Sequence, residues 1–383
     1  MGAWIHRIDT IVPGFSFAQE EASGKMQEWT RDERGRRLVR AIYRNSGIER
    51  RYTVIADYDG NKPGSFFRTG SDGTLEGPGT AARNAIFTSE SRTLSVALAR
   101  KVLGNCPGVG AEDVTHVITV SCTGFCNPGP DYYIVRDLGM SPGTQRYHLG
   151  FMGCYAAFPA LRMAAQFCEA DRGAVVLVLC LELCSLHLQL NGKEDSILAN
   201  SLFSDGAAAA VVSAKEPEPG ERAYRIDGFR STLVPAGEQE MAWSIGDHGF
   251  DIALSGYVPK IIGANLGEFM APSLAVIGTS IADVDLWAVH PGGKSILDQV
   301  QRCLDLREEQ MQASREVLRR CGNMSSASIL FVLAEILEQP AGGVESKVCA
   351  VAFGPGLTVE MALLAALRDP SVSPQGDPVA VHA

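Results

Sequence analysis

Three observations predict a protein of two similar α/β halves, each with a largely parallel, buried sheet. The chain has 383 residues, too many for one ordinary core and too few for three. After Asn105-Cys106-Pro107-Gly108 its apolar strands alternate with long helices, the pattern of βαβ units. The second half also repeats the first weakly, at an offset of 169 or 170 residues.

The elements before residue 105 specify no chemistry. A short strand is expected near Ile5–Ile11, a charged helix around Met26–Ser46, a Gly-rich loop through Asp57–Thr80 and a helix from Ser89 to Leu103. The repeat starts beyond them. AEDVTHVITVSC (111–122) resembles IADVDLWAVHPG (281–292), each a polar turn leading into a β-branched strand. GCYAAFPALRMAAQF (153–167) resembles GNMSSASILFVLAEI (322–336), each a helix that starts at Gly and a polar residue. AVVLVLCLEL (174–183) and KVCAVAFGPG (347–356) are both apolar strands ending in loops. The halves are drawn at 1–222 and 223–368, and residues 369–383, rich in Pro and small side chains, read as a disordered tail.

The repeat lays Cys154 on Asn323, each at a helix start, and His290 closes the second-half strand where Val120 and Ser121 close the first. Ligands of such sheets bind at strand carboxyl ends and helix amino ends where two halves meet, so three ordinary residues become candidates together. Taken singly, each has a plainer role: Cys154 as packing, His290 as part of a tight turn, Asn323 as a helix cap. A thiol attacks as its thiolate, which a helix amino end or an imidazolium favours, and an acyl thioester on sulfur then needs donors where negative charge develops. Hydrolysis needs a base that activates water, whereas carbon–carbon condensation needs a stabilised enolate. No acidic residue adjoins the three in sequence, and this favours condensation.

The bulk properties remove several function classes. A formal charge of −10 argues against general nucleic-acid binding, which needs a basic face. Arg36, Arg37, Arg40 and Arg44 share one side of a helix and offer a local basic patch, although such runs are usually just a solvated face. The opening MGAWIHRID has no signal-peptide pattern, and His6 breaks the myristoylation pattern. The most apolar stretch, Gly173–Leu190, carries Glu182 and His187 and suits a buried strand better than a membrane span. Ten scattered cysteines, several in apolar runs, fit free thiols in a cytoplasmic protein. Cys122 and Cys126 lack the further ligands that zinc wants, so no metal is expected.

Four ordered motifs then carry a family resemblance: GFMGCYAA around Cys154, AVHPGGKSILD around His290, CGNMSSASILFVL around Asn323, and AFGPGLTVE at 352–360. With them the sequence resembles the type III polyketide synthases, the chalcone synthase-like branch of the thiolase superfamily, up to about Arg368. The resemblance implies a five-layered αβαβα thiolase-like fold from two duplicated halves, a homodimer, and catalysis by Cys154, His290 and Asn323. Cys154 would take an acyl group from a coenzyme A starter, while His290 and Asn323 would promote decarboxylation of malonyl-coenzyme A. The polyketide would then cyclise to a pyrone, resorcinol or similar ring, with no metal or redox cofactor.

The resemblance also makes Phe203 a gatekeeper of the cavity and puts Ile252 at the second gatekeeper position, with Gly292 and Gly293 beside His290. Cys122 replaces a Thr usual in plant members, and Asn127 stands where a plant Met reaches across the dimer. Cys184 and His187 line the cavity where plant chalcone synthases have Thr, which points to a bacterial-type enzyme with fatty acyl or other starters. Leu38, Ala41 and Asn45 occupy the usual basic coenzyme A positions, leaving Arg37, Arg40 and Arg44 as substitutes. Ala352 replaces the Gly that usually begins the last motif. A carrier-protein-dependent ketoacyl synthase of the initiating kind is the nearest alternative, a non-catalytic acyl-binding partner subunit the next, and a cysteine hydrolase the third.

Overall fold

The computed structural model describes residues 2–56, 66–69, 75–339, 345–368 and 379–381. Much of the expected Gly-rich loop, residues 57–65 and 70–74, lies outside the described residues. The expected helix at Met26–Ser46 is two helices, Gln19–Trp29 and Glu33–Arg44, because Asp32 breaks the run. Its carboxylate accepts the Gly35 N–H at 2.8 Å and caps the second helix.

The framework runs in chain order β1 (Trp4–Pro13), α1 (Thr80–Gly104), β2 (His116–Ser121), β3 (Gln145–Gly150), α2 (Ala157–Ala170), β4 (Val175–Leu183) and β5 (Asp205–Ser213). It continues with β6 (Ala223–Leu233), α3 (Val258–Val276), β7 (Leu286–Val289), α4 (Lys294–Cys303), α5 (Ser328–Glu338), β8 (Glu345–Gly354), β9 (Thr358–Leu367) and β10 (Val379–Val381). The strands follow the order β7-β8-β9-β6-β1-β5-β4-β2-β3. From the antiparallel β1–β6 seam outward, each half repeats two antiparallel pairs and then a parallel one, and β3 extends only the first half. The sheet is therefore mixed, not largely parallel. Strands covered on both faces read as apolar whichever way they run, so hydrophobicity does not report their direction.

Side-chain alternation along the strands builds the layers. Val176, Val178 and Cys180 of β4 face the same cluster as Ala160, Leu161 and Ala164 of α2 and Leu330 and Leu333 of α5. Leu177, Leu179 and Leu181 face Leu94, Leu98 and Val102 of α1. In the second half Val348 and Ala350 of β8 turn to the central helices, while Cys349 and Val351 turn to Leu266 of α3 and Leu297 of α4. The result is α1, sheet, α2 with α5, sheet, α3 with α4: five layers from two duplicated halves.

Part of the expected disordered tail is ordered. Val379–Val381 pairs in parallel with Ile11–Pro13 of β1, and the rest of 369–383 lies outside the described residues. Among the described residues no helix is long and apolar enough to cross a membrane.

Candidate active site

The strand carboxyl ends and the loops entering the central helices surround one cavity, and Cys154, His290 and Asn323 all line it. Cys154 sits in the turn that leads into α2. Gly153 before it has φ +97°, and its N–H donates to Cys122 Sγ at 2.9 Å. His290 leaves the end of β7, where its N–H donates to the Val351 carbonyl at 2.8 Å. Asn323 follows Gly322, whose φ of +71° turns the chain toward α5, and bridges to Phe203. The amide of Asn323 donates to the Leu202 carbonyl, and its carbonyl accepts from Ser204 N–H, both at 2.9 Å.

Side-chain chemistry follows from burial. Asn323 is 2 % exposed; its Nδ2 donates to the Gly292 carbonyl at 3.3 Å and its Oδ1 accepts the Ser325 N–H at 2.9 Å. Burial pushes the Cys154 thiol up to about 12, against hydrogen bonds from Ser325 and Asn323 that favour the thiolate. His290 is 2 % exposed, neither ring nitrogen has a hydrogen-bond partner among the described residues, and burial pushes its pKa down to about 3. The sequence suggested that a helix end and an imidazolium would lower the thiol pKa. Burial outweighs the hydrogen bonds that favour the thiolate, and thiol and imidazole are neutral together.

The other expected residues divide. Cys122, Cys184, Phe203, Ile252 and Gly292 line the same cavity. Gly293 does not: it packs against Leu202 and precedes the first residue of α4. His187 lines only an adjoining chamber, and both ring nitrogens are committed, Nε2 donating to the Thr123 carbonyl at 2.7 Å and Nδ1 accepting the Phe250 N–H at 3.0 Å. Arg37, Arg40 and Arg44 line neither chamber. Arg37 donates to the Glu33 carbonyl of its own helix, Arg40 to Gln27 Oε1, and Arg44 is exposed on the last turn.

Three neighbours escaped the sequence reading. Ser325, with φ +46°, carries a hydroxyl bonded to Cys154, and a polar residue two places after Asn323 was its only signal. Trp243 forms the wall between the chambers, and its Nε1 donates to the Cys122 carbonyl at 3.0 Å. Glu182, the lone acid of β4, accepts from Cys122 N–H at 2.9 Å, Thr123 Oγ1 at 3.0 Å and Ser326 Oγ at 2.5 Å. An acid does stand near the three candidates in space. It is fully buried behind the cavity wall with its pKa raised by burial, so it braces the loops rather than facing a reactant.

Residues 6–217 match the N-terminal domain of the chalcone and stilbene synthases, and residues 227–368 match their C-terminal domain. This chain belongs to the chalcone and stilbene synthase family. The α-pyrone synthesis polyketide synthase-like Pks18 of Mycobacterium tuberculosis is 33 % identical over 373 residues, covering 96 % of this chain and 92 % of that protein. The same protein from Mycobacterium bovis matches equally. Among solved structures, PKS-I of the brown alga Ectocarpus siliculosus has a TM-score of 0.86 at 30 % identity, covering 95 % of this chain and 98 % of that one. The C-terminal type III polyketide synthase domain of Steely1 from Dictyostelium has a TM-score of 0.87 at 26 % identity, covering 96 % and 100 %. This family member is a type III polyketide synthase with the thiolase-like fold, an acyltransferase that joins acyl units by decarboxylative condensation.

Proposed function

We propose that Cys154 carries the growing chain and that His290 and Asn323 manage the malonyl unit. Sγ attacks the thioester carbonyl of an acyl-coenzyme A starter, its proton passes to the imidazole, and coenzyme A leaves as the thiol. Malonyl-coenzyme A then loses carbon dioxide, and the enolate oxygen that forms is stabilised by the His290 ring and the Asn323 Nδ2–H. The carbanion attacks the acyl carbon on Cys154; a carbon–carbon bond forms, the carbon–sulfur bond breaks, and the thiolate returns. Repetition gives a poly-β-ketone that closes to an α-pyrone, a product class supported by the name of the mycobacterial relative.

The single observation that supports this assignment is the meeting of Cys154, His290 and Asn323, drawn from three distant stretches, around one cavity. A neutral imidazole suits the decarboxylation, because it can donate to an oxyanion without bringing a second full charge into a dry site. The chemistry needs no metal or redox cofactor. Ten free cysteines fit a reducing cytoplasm, and a homodimer is the assembly expected of the family.

Purified protein with a panel of acyl-coenzyme A starters and radiolabelled malonyl-coenzyme A tests the reading. An acyl adduct on Cys154 and pyrone products are expected. Strict dependence on malonyl carrier protein, or free acid as the sole product, overturns it.

A further inference from the structure

The helix Glu194–Leu202 ends directly before Phe203 and carries no basic residue in its last turn. Phe203 at its end is extended, with φ −74° and ψ 146°, so no left-handed residue folds back to meet the last carbonyls. Side chains from far earlier in the chain meet them instead. Arg51 Nη1 donates to the Asn200 and Phe203 carbonyls at 2.7 and 2.8 Å. Tyr43 Oη donates to the Asn200 carbonyl at 3.0 Å, and Gln19 Nε2 to the Ser201 carbonyl at 2.7 Å. Arg51 Nε donates to Gln19 Oε1 at 2.9 Å, and the guanidinium lies over the rings of Phe17 and Tyr43 at 4.9 and 5.7 Å. A buried cation at the carboxyl end of a helix also complements the helix dipole.

We infer that Arg51 is a positioning residue for the condensation: it caps this helix, and through residues 200–204 it holds Phe203 and the Asn323 turn in place. The inference rests on the role proposed for Asn323 with the malonyl unit. Arg51 lines the outer chamber that adjoins the catalytic cavity, but these bonds direct its charge at protein carbonyls rather than at a ligand.

Two contacts carry the effect to Asn323. The first runs through the backbone, since the Asn323 N–H donates to the Leu202 carbonyl and the Asn323 carbonyl accepts the Ser204 N–H, both at 2.9 Å. A shift of 200–204 therefore moves the Asn323 peptide and, with it, the Nδ2 donor. The second is the stem of Arg51. A Cβ on Gly322 would lie 2.9 Å from Arg51 Cγ and 2.9 Å from the Leu202 carbonyl oxygen, so the two close around the turn that precedes Asn323. Arg51 is itself held in register with this segment, because Tyr52 N–H donates to Ser204 Oγ and Val54 N–H to Asp205 Oδ2, both at 2.8 Å. The Cys154 turn stands apart, for the contacts that set Gly153 run to Cys122 and Pro355. Loss of the guanidinium leaves buried carbonyls without their donor, which segment 200–204 can relieve only by moving.

The test measures the two half-reactions separately. Arg51→Met keeps the stem against Gly322 and removes the donors, while Arg51→Lys keeps the charge without the planar fork. In Arg51→Met, kcat for release of carbon dioxide from malonyl-coenzyme A should fall about 10- to 100-fold, while acylation of Cys154 by an acyl-coenzyme A stays within about threefold of the wild type. Arg51→Lys should recover part of the lost decarboxylation. If Arg51→Met does not fold, Arg51→Lys carries the test, with decarboxylation down about threefold or more and acylation unchanged. Folded variants in which both half-reactions fall together, or in which neither changes, overturn the inference. Asn323→Asp is measured alongside: if it releases carbon dioxide like the wild type, the role proposed for Asn323 fails, whatever the Arg51 variants do.

Discussion

Ser325 donates its backbone N–H to Asn323 Oδ1 at 2.9 Å, and this fixes which end of the amide points where. With Oδ1 occupied, Nδ2 turns toward the Gly292 carbonyl and the cavity, so Asn323 presents a donor and not an acceptor to a reactant. Ser325 holds this arrangement with φ +46°, a conformation that costs a non-glycine residue about 1–3 kcal/mol and that recurs at functional sites.

Asn323→Asp keeps the acceptor for Ser325 but replaces the Nδ2 donor with an acidic oxygen facing the Gly292 carbonyl. Release of carbon dioxide from malonyl-coenzyme A should fall by about 10²–10³, the usual loss for one oxyanion donor. Acylation of Cys154 should survive, so the two half-reactions separate. Decarboxylation within threefold of the wild type would show that the Nδ2 donor is not used.

The neutral resting pair gives the free enzyme a defined pH response. With the Cys154 pKa pushed up to about 12 and that of His290 down to about 3, the thiolate fraction rises about tenfold per pH unit across the working range. Alkylation of Cys154 by iodoacetamide should therefore climb steadily from pH 6 to pH 9. A plateau below pH 8 would mean that a preformed thiolate–imidazolium pair exists, and that the Ser325 and Asn323 hydrogen bonds outweigh burial.

The three candidate residues were legible because duplication put them at equivalent places: Cys154 and Asn323 each precede a central helix, and His290 follows a strand. The apolar runs of β4 and β8 were legible as strands, but not which core each alternate residue enters, because both faces of these strands are covered. What stayed hidden depends on contacts between segments far apart in sequence. Trp243 reaches the cavity only because the hairpin Met241–Gly246 and Gly249–Leu254 folds over the Cys122 loop. Glu182 looked like an interruption of an apolar strand, and its partners lie about 60 and 144 residues away. The arginines misled for the opposite reason: Arg37 and Arg40 share a helix face, as their spacing said, but that face is turned to solvent and to the preceding helix.

His187 should make the wall of the outer chamber sensitive to acid. Burial pushes its pKa down to about 4, while the unfolded chain takes up a proton below about 6.5. Between those values the unfolded state binds the proton that the folded state refuses, so the contribution of His187 is complete above pH 6.5 and is lost as the pH falls toward 4. His187→Gln lacks this response. In urea unfolding, the stability deficit of the variant should be largest at pH 7 and shrink by about 2–3 kcal/mol by pH 4.5. A deficit that is constant with pH would show that His187 is not held neutral.

Gly153 sets the backbone turn that carries Cys154. Its φ of +97° is one that residues with a Cβ rarely adopt, and a Cβ there would lie 2.3 Å from Cδ of Pro355, a ring atom that cannot swing aside. Pro355 lines the same cavity as Cys154 at the end of β8, and the Gly153 N–H is the donor to Cys122 Sγ. Gly153→Ala must then move either the Cys154 turn or the Pro355 loop. It should destabilise the fold by more than about 2 kcal/mol, from backbone strain and overpacking together, and slow Cys154 acylation at least tenfold in the protein that remains folded. A folded variant that acylates at the wild-type rate would show that the nucleophile does not depend on the conformation of residue 153.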